Sequence, residues 1–183
     1  MKPAEDAEIL QKFGQEETRN EAFNLLIRKY QQKIYWHIRR MVINHDDADD
    51  LVQEVFVKVW KHLGGFRSDS QLYTWLYRIA TNECITFLNR KKNQQNVPLD
   101  DVAYDLADSL HDSNYFSGNK AQMKLQQALL TLPEKQRLVF NMKYFDDLKY
   151  EEISEIVGTS VGALKASFHL AVKKIEHYIR TTD

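Results

Sequence analysis

Apolar residues recur three or four positions apart along most of the chain, and no stretch alternates with period two for long enough to support a strand. The pattern therefore predicts an all-α protein. Ala4 to Phe13 reads as a short first helix, and Ala22, Phe23, Leu26, Ile27, Tyr30, Ile34, Ile38 and Val42 mark one face of a long second one. A third helix is expected from Asp46, read as its cap, with an acidic first turn that suits the positive end of the helix dipole. Its stripe of Leu51, Val52, Val55, Phe56, Val59 and Leu63 runs out at Gly64 and Gly65. After the polar loop Phe66-Arg67-Ser68-Asp69-Ser70, a fourth helix turns Leu72, Trp75, Leu76, Ile79 and Ala80 to a core. It leaves Tyr73, Thr74, Tyr77, Arg78, Thr81 and Asn82 lateral or exposed.

Helical periodicity lapses between residues 93 and 119, where Pro98, Gly118 and many Asn, Ser and Asp residues read as loop. So long a loop does not suit the interior of a compact domain, which makes it a linker. The expected organisation is two small helical domains, 1–92 and 120–183, joined by a flexible segment at 93–119. In the second domain Ala121 to Leu130 is a helix candidate. Leu132-Pro133 opens another that continues through Gln136 to Phe145, with proline where no amide donor is needed. Tyr150 to Val157, a turn at Gly158-Thr159-Ser160 and a helix from Val161 to about Ile179 complete the chain. Ile153, Ile156, Val157, Val161, Leu164 and Phe168 give this pair the apolar pattern of a helix-turn-helix. Such a pair either enters a DNA major groove or serves as a structural hairpin.

Composition narrows the class: 43% hydrophobic and 28% charged residues describe a globular protein. The net charge of -1 conceals a division. Residues 1–92 carry 15 Lys and Arg against 13 Asp and Glu, and residues 120–183 carry 10 against 8, whereas 93–119 hold five aspartates and no basic residue. The linker is therefore acidic. No apolar run approaches the roughly 20 residues of a membrane span, and the acidic start MKPAEDAEIL is unlike a signal peptide. No membrane insertion and a cytoplasmic location are expected. A single cysteine, Cys84, excludes an internal disulfide and a multi-cysteine zinc site, and its apolar neighbours suggest a buried, inert thiol. The six histidines are scattered, so neither a metal nor a cofactor is expected. Asp46, Asp47, Asp49 and Asp50 lack the glycine and the final glutamate of a calcium loop. Without HExxH, a phosphate loop or a supported Ser-His-Asp arrangement, the chain does not read as an enzyme.

Two surfaces carry candidate chemistry. The outer side of the third helix holds Asp47, Asp50, Glu54, Lys58 and Lys61, with Gln53, Val57 and Trp60 as a partly apolar edge. That face fits a protein partner, or equally a solvated helix with pairs such as Glu54 and Lys58 at about 0.2–0.5 kcal/mol each. The aromatic and cationic residues of the fourth helix suit unstacked bases, for which ring stacking is worth roughly 1–3 kcal/mol per base. They could equally fill a small core.

Three segments make the comparison specific: DDADDLVQEVFVKVW, FRSDSQLYTWLYRIATN and LPEKQRLVFNMKYFDDLKYEEISEIVGTSVGALKASFHLAVKKI. In this order they resemble the two domains of the extracytoplasmic-function (ECF) group of bacterial RNA polymerase sigma factors, over about Ala22 to Arg90 and Ala121 to Ile179. The resemblance implies a sigma region 2 helical bundle followed by a region 4 helix-turn-helix. It also implies an initiation factor that binds core RNA polymerase, directs it to promoters and assists melting. By the same resemblance Asp50, Gln53 and Glu54, with Val57 and Trp60 beside them, contact the core enzyme. Phe66, Arg67, Ser68, Asp69 and Ser70 form a pocket for a base flipped from the single-stranded non-template strand of the minus-ten element. Tyr73, Trp75, Tyr77, Arg78 and Asn82 shape or support that DNA surface, and the acidic linker imitates RNA in the exit path.

Ser160, Ala163, Lys165, Ala166, Ser167, His169 and Lys173 are the corresponding residues facing duplex minus-thirty-five DNA. Here the chain departs from the family. It reads SVGALKASFHLA where members often show SxGTVKSRLHRA, so Ala163, Ala166, Ser167 and Leu170 stand in place of longer or more polar side chains. With few long donors, contacts to phosphate and response to DNA shape are expected to outweigh bidentate reading of guanine. The resemblance adds an anti-sigma factor as a further expected partner. Two other functions remain open at this point: a helix-turn-helix regulator acting without polymerase, and an adaptor that mimics a sigma factor to sequester its inhibitor.

Overall fold

A computed structural model describes residues 5–95 and 120–182, and among these every regular element is helical. The first domain comprises α1 (Asp6–Phe13), α2 (Arg19–Val42), α3 (His45–His62) and α4 (Leu72–Gln95). α2, α3 and α4 pack on one another and α1 lies along α2. The expected stripes supply the core: Leu26, Ile34 and Ile38 of α2, Val55 and Val59 of α3, and Leu76 and Ala80 of α4 are fully buried. Polar groups fix α1, since Asp6 accepts hydrogen bonds from Lys29 Nζ at 2.7 Å and from the Tyr30 hydroxyl at 2.6 Å. Burial, and then the adjacent Asp6 carboxylate, push the Tyr30 phenol pKa well above its usual value.

The start of α3 differs from expectation. Asn44, not Asp46, is the cap: its side-chain oxygen accepts from the Asp47 amide at 3.0 Å. Ile43 ends α2 with a positive φ of 64°, which turns the chain so sharply that only Ile43 and Asn44 separate the two helices. Asp46 and Asp47 instead lie in the first turn, where their charge still suits the helix dipole. Asn44→Ala is expected to cost about 1 kcal/mol of stability, measurable as a lower urea midpoint.

α4 continues to Gln95, three residues past the expected domain end at 92. The rest of the proposed acidic linker, with its five aspartates, lies outside the described residues.

The second domain comprises α5 (Lys120–Leu130), α6 (Glu134–Tyr144), α7 (Tyr150–Val157) and α8 (Val161–Thr181). Leu129, Leu132, Phe140, Ala171 and Ile175 form one part of its core. The rings of Phe140 and Phe168 stack with centroids 5.5 Å apart. α7 closes on Gly158, which adopts the left-handed conformation (φ 68°) that a side chain would strain, and Ser160 caps α8 by accepting from the Ala163 amide at 3.4 Å. This is the expected helix-turn-helix.

The domains pack together, α7 against α4 and α6 against α2. Leu138, Val139, Met142, Leu148, Ile153 and Ile156 thereby join the same apolar cluster as the first-domain core. Thr74, Tyr77 and Thr81, expected to be lateral or exposed, are instead 2%, 3% and 1% exposed. His37 of α2 meets both Tyr77 and Thr81, and the second domain approaches α4 at Tyr73 and Tyr77; periodicity within α4 carries no information about either approach.

Candidate functional site

On the outer face of α3, Asp50, Gln53 and Glu54 are exposed beside Val57, which is 52% exposed, and Trp60, which is 37% exposed. Trp60 is held edge-on against Phe23 at 4.9 Å and Phe13 at 5.4 Å, so α1 and α2 brace its ring. The Glu54–Lys58 pair of the solvated-helix alternative does not form. Lys58 reaches Glu83 on α4 at 2.5 Å, and Lys91 on α4 reaches Asp47 at 3.3 Å. These two bridges clamp α3 to α4, and Asp50 and Glu54 have no side-chain partner among the described residues. Both border a groove of about 140 Å³ that is also lined by Thr86, Phe87 and Arg90 of α4. A rigid acidic face with an apolar edge can receive a basic protein surface more readily than a mobile, self-paired one.

The loop after α3 turns through Ser68 at φ 58° and exposes Arg67, Ser68 and Asp69, with Ser70 half-buried. Phe66 rests on Trp75 of α4 with centroids 5.3 Å apart, both rings half-buried. Trp75, Arg78 and Asn82 follow helical spacing on one side of α4, and Arg78 and Asn82 are exposed. The predicted DNA residues therefore divide. Phe66, Trp75, Arg78 and Asn82 share the loop side, while Tyr73 and Tyr77 lie nearly opposite, toward the second domain. Tyr73 donates a hydrogen bond to Glu152. The Tyr77 ring lies 4.8 Å from that of His37, and burial followed by the Asp146 carboxylate pushes its phenol pKa far up.

Sequence reasoning missed the group that completes this side: His37, Arg40, Thr81 and Asp146. His37 and Arg40 sit within the ordinary pattern of α2, and Asp146 follows α6 in an unremarked turn. Their association across 109 residues of chain, from His37 to Asp146, has no signal in a single sequence.

Along α8, Ala163, Lys165, Ala166, His169 and Lys173 are exposed and Ser167 is half-buried, while Ser160 is committed to its cap. Lys165 lies 5.7 Å over the Tyr150 ring. Leu170, where family members often carry a cation, is 48% exposed. The helix presents scattered positive charge and small side chains, an arrangement better suited to phosphate than to bidentate contact with a base. Cys84 is buried and its thiol pKa is raised by burial, as its apolar neighbours suggest. No group of three or more His, Cys, Asp or Glu side chains among the described residues could hold a metal ion. No helix among them is long and apolar enough to cross a membrane.

These helices define a two-domain, all-α class in which an acidic face and a loop-and-aromatic surface precede a helix-turn-helix. Known proteins place the chain within that class. Residues 26–94 match the family described as Sigma-70 region 2, and residues 122–175 match that described as Sigma-70, region 4. The chain is 32% identical over 167 residues to the ECF RNA polymerase sigma-E factor of Haemophilus influenzae, covering 87% of this chain and 88% of that one. It is 33% identical over 174 residues to the ECF sigma-E factor of Escherichia coli K12, covering 87% of each. RNA polymerase sigma-H factor of Pseudomonas aeruginosa is 32% identical over 163 residues, covering 85% of this chain and 84% of that one. Two solved structures share the fold. CnrH in complex with the cytosolic domain of CnrY has a TM-score of 0.72 at 20% identity, covering 97% of this chain and 99% of that one. The sigma factor RpoE of Bartonella quintana, in complex with the anti-sigma factor NepR, has a TM-score of 0.68 at 19% identity, covering 88% and 98%. The chain belongs to the sigma-70 family and, within it, to the ECF sigma factors, which direct RNA polymerase to promoters.

Proposed function

We propose that the chain divides the work of initiation among its surfaces: α3 docks on core RNA polymerase, the loop with α4 captures the minus-ten element, and α8 contacts the minus-thirty-five element. The supporting observation is the braced α3 face, whose Asp50 and Glu54 carboxylates have no side-chain partner among the described residues while neighbouring charges hold α3 to α4. Asp50, Gln53, Glu54, Val57 and Trp60 make the core contact. In this assignment residues 1–92 are the docking and melting domain, 93–119 the linker and 120–183 the minus-thirty-five domain.

Melting needs a base to leave the duplex, at a cost of a few kcal/mol. The Phe66–Trp75 pair offers a fixed aromatic platform, where stacking returns roughly 1–3 kcal/mol per base. Arg67, Ser68, Asp69 and Ser70 supply donors and acceptors for the extruded base edge, while Arg78 and Asn82 hold the adjoining strand. Tyr73 and Tyr77, nearly opposite on α4, support this surface from the side of the second domain. At the minus-thirty-five element, Lys165, His169 and Lys173 attract phosphate, and the small Ala163, Ala166 and Ser167 permit close approach. The chain supplies binding and strand separation, and the polymerase supplies the chemistry, in the cytoplasm. The structurally similar RpoE of Bartonella quintana was solved in complex with the anti-sigma factor NepR, and an anti-sigma factor is the proposed regulator here too. The polymerase-independent regulator and the adaptor are not favoured, because family membership accounts for both domains in order.

Run-off transcription with purified core polymerase, on a promoter mapped from the protein's own regulon, tests the assignment. The expected result is a defined transcript that core polymerase alone does not make. Tight binding to core with no promoter opening would favour the adaptor instead.

A further inference from the structure

α1 precedes residues 26–94, the part of the chain that matches region 2, and with eight residues it is too short to persist as a helix without packing. The chain fastens it to α2 at both ends. In its first turn Asp6 holds Lys29 Nζ and the Tyr30 hydroxyl. At its last turn the Thr18 hydroxyl donates to the Lys12 carbonyl at 2.7 Å, and Arg19 Nε donates to the Phe13 carbonyl at 3.3 Å. Both bonds satisfy carbonyls that a helix end leaves open. Lys12 Nζ adds an ion pair with Glu21 at 3.2 Å. Ile9 is fully buried beneath the helix, and Phe13 is 5% exposed.

Phe13 carries this anchorage to α3. Its ring meets the Trp60 indole edge-on at an interplanar angle of 86°, and the Arg19 guanidinium lies 5.6 Å from its centroid. Phe23 of α2, 6.4 Å from Phe13, meets the same indole at 75° and leans on Phe56 of α3. Edge-to-face contacts are directional, so two of them from two helices fix the torsions of an indole that is still 37% exposed. We propose that α1 is a positioning element for polymerase docking: Phe13, itself covered, holds Trp60 in the orientation in which the indole meets the core enzyme. The inference rests on the assignment of Trp60 to the core contact. An exposed tryptophan without such walls samples several rotamers, and association must then order it. Phe13 therefore acts on affinity through Trp60, as a positioning residue that touches no partner.

The test uses the full chain and purified core polymerase. Phe13→Leu keeps an apolar side chain in the buried site and removes the ring. It is expected to weaken core binding about two- to tenfold, the range set by ordering one side chain on association, with an unchanged circular dichroism spectrum. Trp60→Ala is expected to weaken binding about fivefold or more, and Phe13→Leu to add nothing further in that background. A chain merely destabilised by Phe13→Leu would lose affinity in both backgrounds. With 5-fluorotryptophan at the three tryptophans, the Trp60 fluorine resonance, assigned by its loss in Trp60→Phe, should shift or broaden in Phe13→Leu while those of Trp36 and Trp75 stay in place. An unmoved Trp60 resonance, an unaltered affinity or an equal loss in both backgrounds would each overturn the positioning role and leave the Trp60 contact standing. Parental affinity for Trp60→Ala would instead overturn that contact, and the docking role of α1 with it.

Discussion

Reversing two exposed carboxylates of α3, Asp50→Lys with Glu54→Lys, is expected to weaken binding to core polymerase at least about thirtyfold. Breaking charge complementarity at an interface costs about 2–5 kcal/mol, and each 1.4 kcal/mol is roughly a factor of ten in affinity. Both residues are exposed and border a groove, so the substitutions break no side-chain ion pair among the described residues. Helical content and the urea midpoint should therefore stay near those of the parent. Asp50 with Gln53 is the companion pair, expected to lose core binding while isolated DNA contacts survive. Asp47 is unsuitable for this purpose because Lys91 depends on it to hold α4 to α3. Polymerase affinity measured by fluorescence anisotropy decides the matter, and undiminished binding by the double reversal would remove α3 from the interface.

The second large effect separates two rings that the sequence alone treats alike. Trp75→Ala should leave core binding intact and slow promoter opening by about five- to a hundredfold, the equivalent of losing roughly 1–3 kcal/mol of stacking on one base. Trp75 is half-buried and its main ring partner is Phe66, so the loss falls on the loop-side platform. Tyr77→Ala should instead destabilise the folded chain by about 3–5 kcal/mol, the range for removing a buried aromatic side chain. Tyr77 is 3% exposed and packs on His37, so its loss empties part of the junction between the domains. Permanganate footprinting of the opened strand reads the first variant, and urea unfolding reads the second. A Trp75→Ala protein that opens promoters at the parental rate would dismiss the platform. A stable Tyr77→Ala protein would show that the junction does not rely on that ring.

The difference between these two residues shows where inference from sequence stops. The all-α class, the helices and the helix-turn-helix were legible because each follows from local spacing: apolar residues at i, i+3 and i+4, glycine at the left-handed turn and serine at the cap. The α3 cap was misplaced by two residues because Ile43 adopts a positive φ that its side chain does not announce. On α3, spacing offered Glu54 as the partner of Lys58, yet the ammonium reaches Glu83 on a neighbouring helix. The motifs of the loop and α4 named candidate residues but could not divide them into two faces.

What the sequence determined by itself is the family, the order of the two helical domains and the chemical character of each surface, because periodicity, caps and motifs are properties of neighbouring residues. Tertiary structure alone decided which of those surfaces are open. Tyr77, Thr74 and Thr81 are buried, Tyr77 and Thr81 against His37 of α2, and Asp146 acquires its partners from α2 as well. The physical reason is that burial and ion pairing belong to the packing between elements. A helix periodicity records which side of a helix is apolar, but not which other element arrives to cover its polar side.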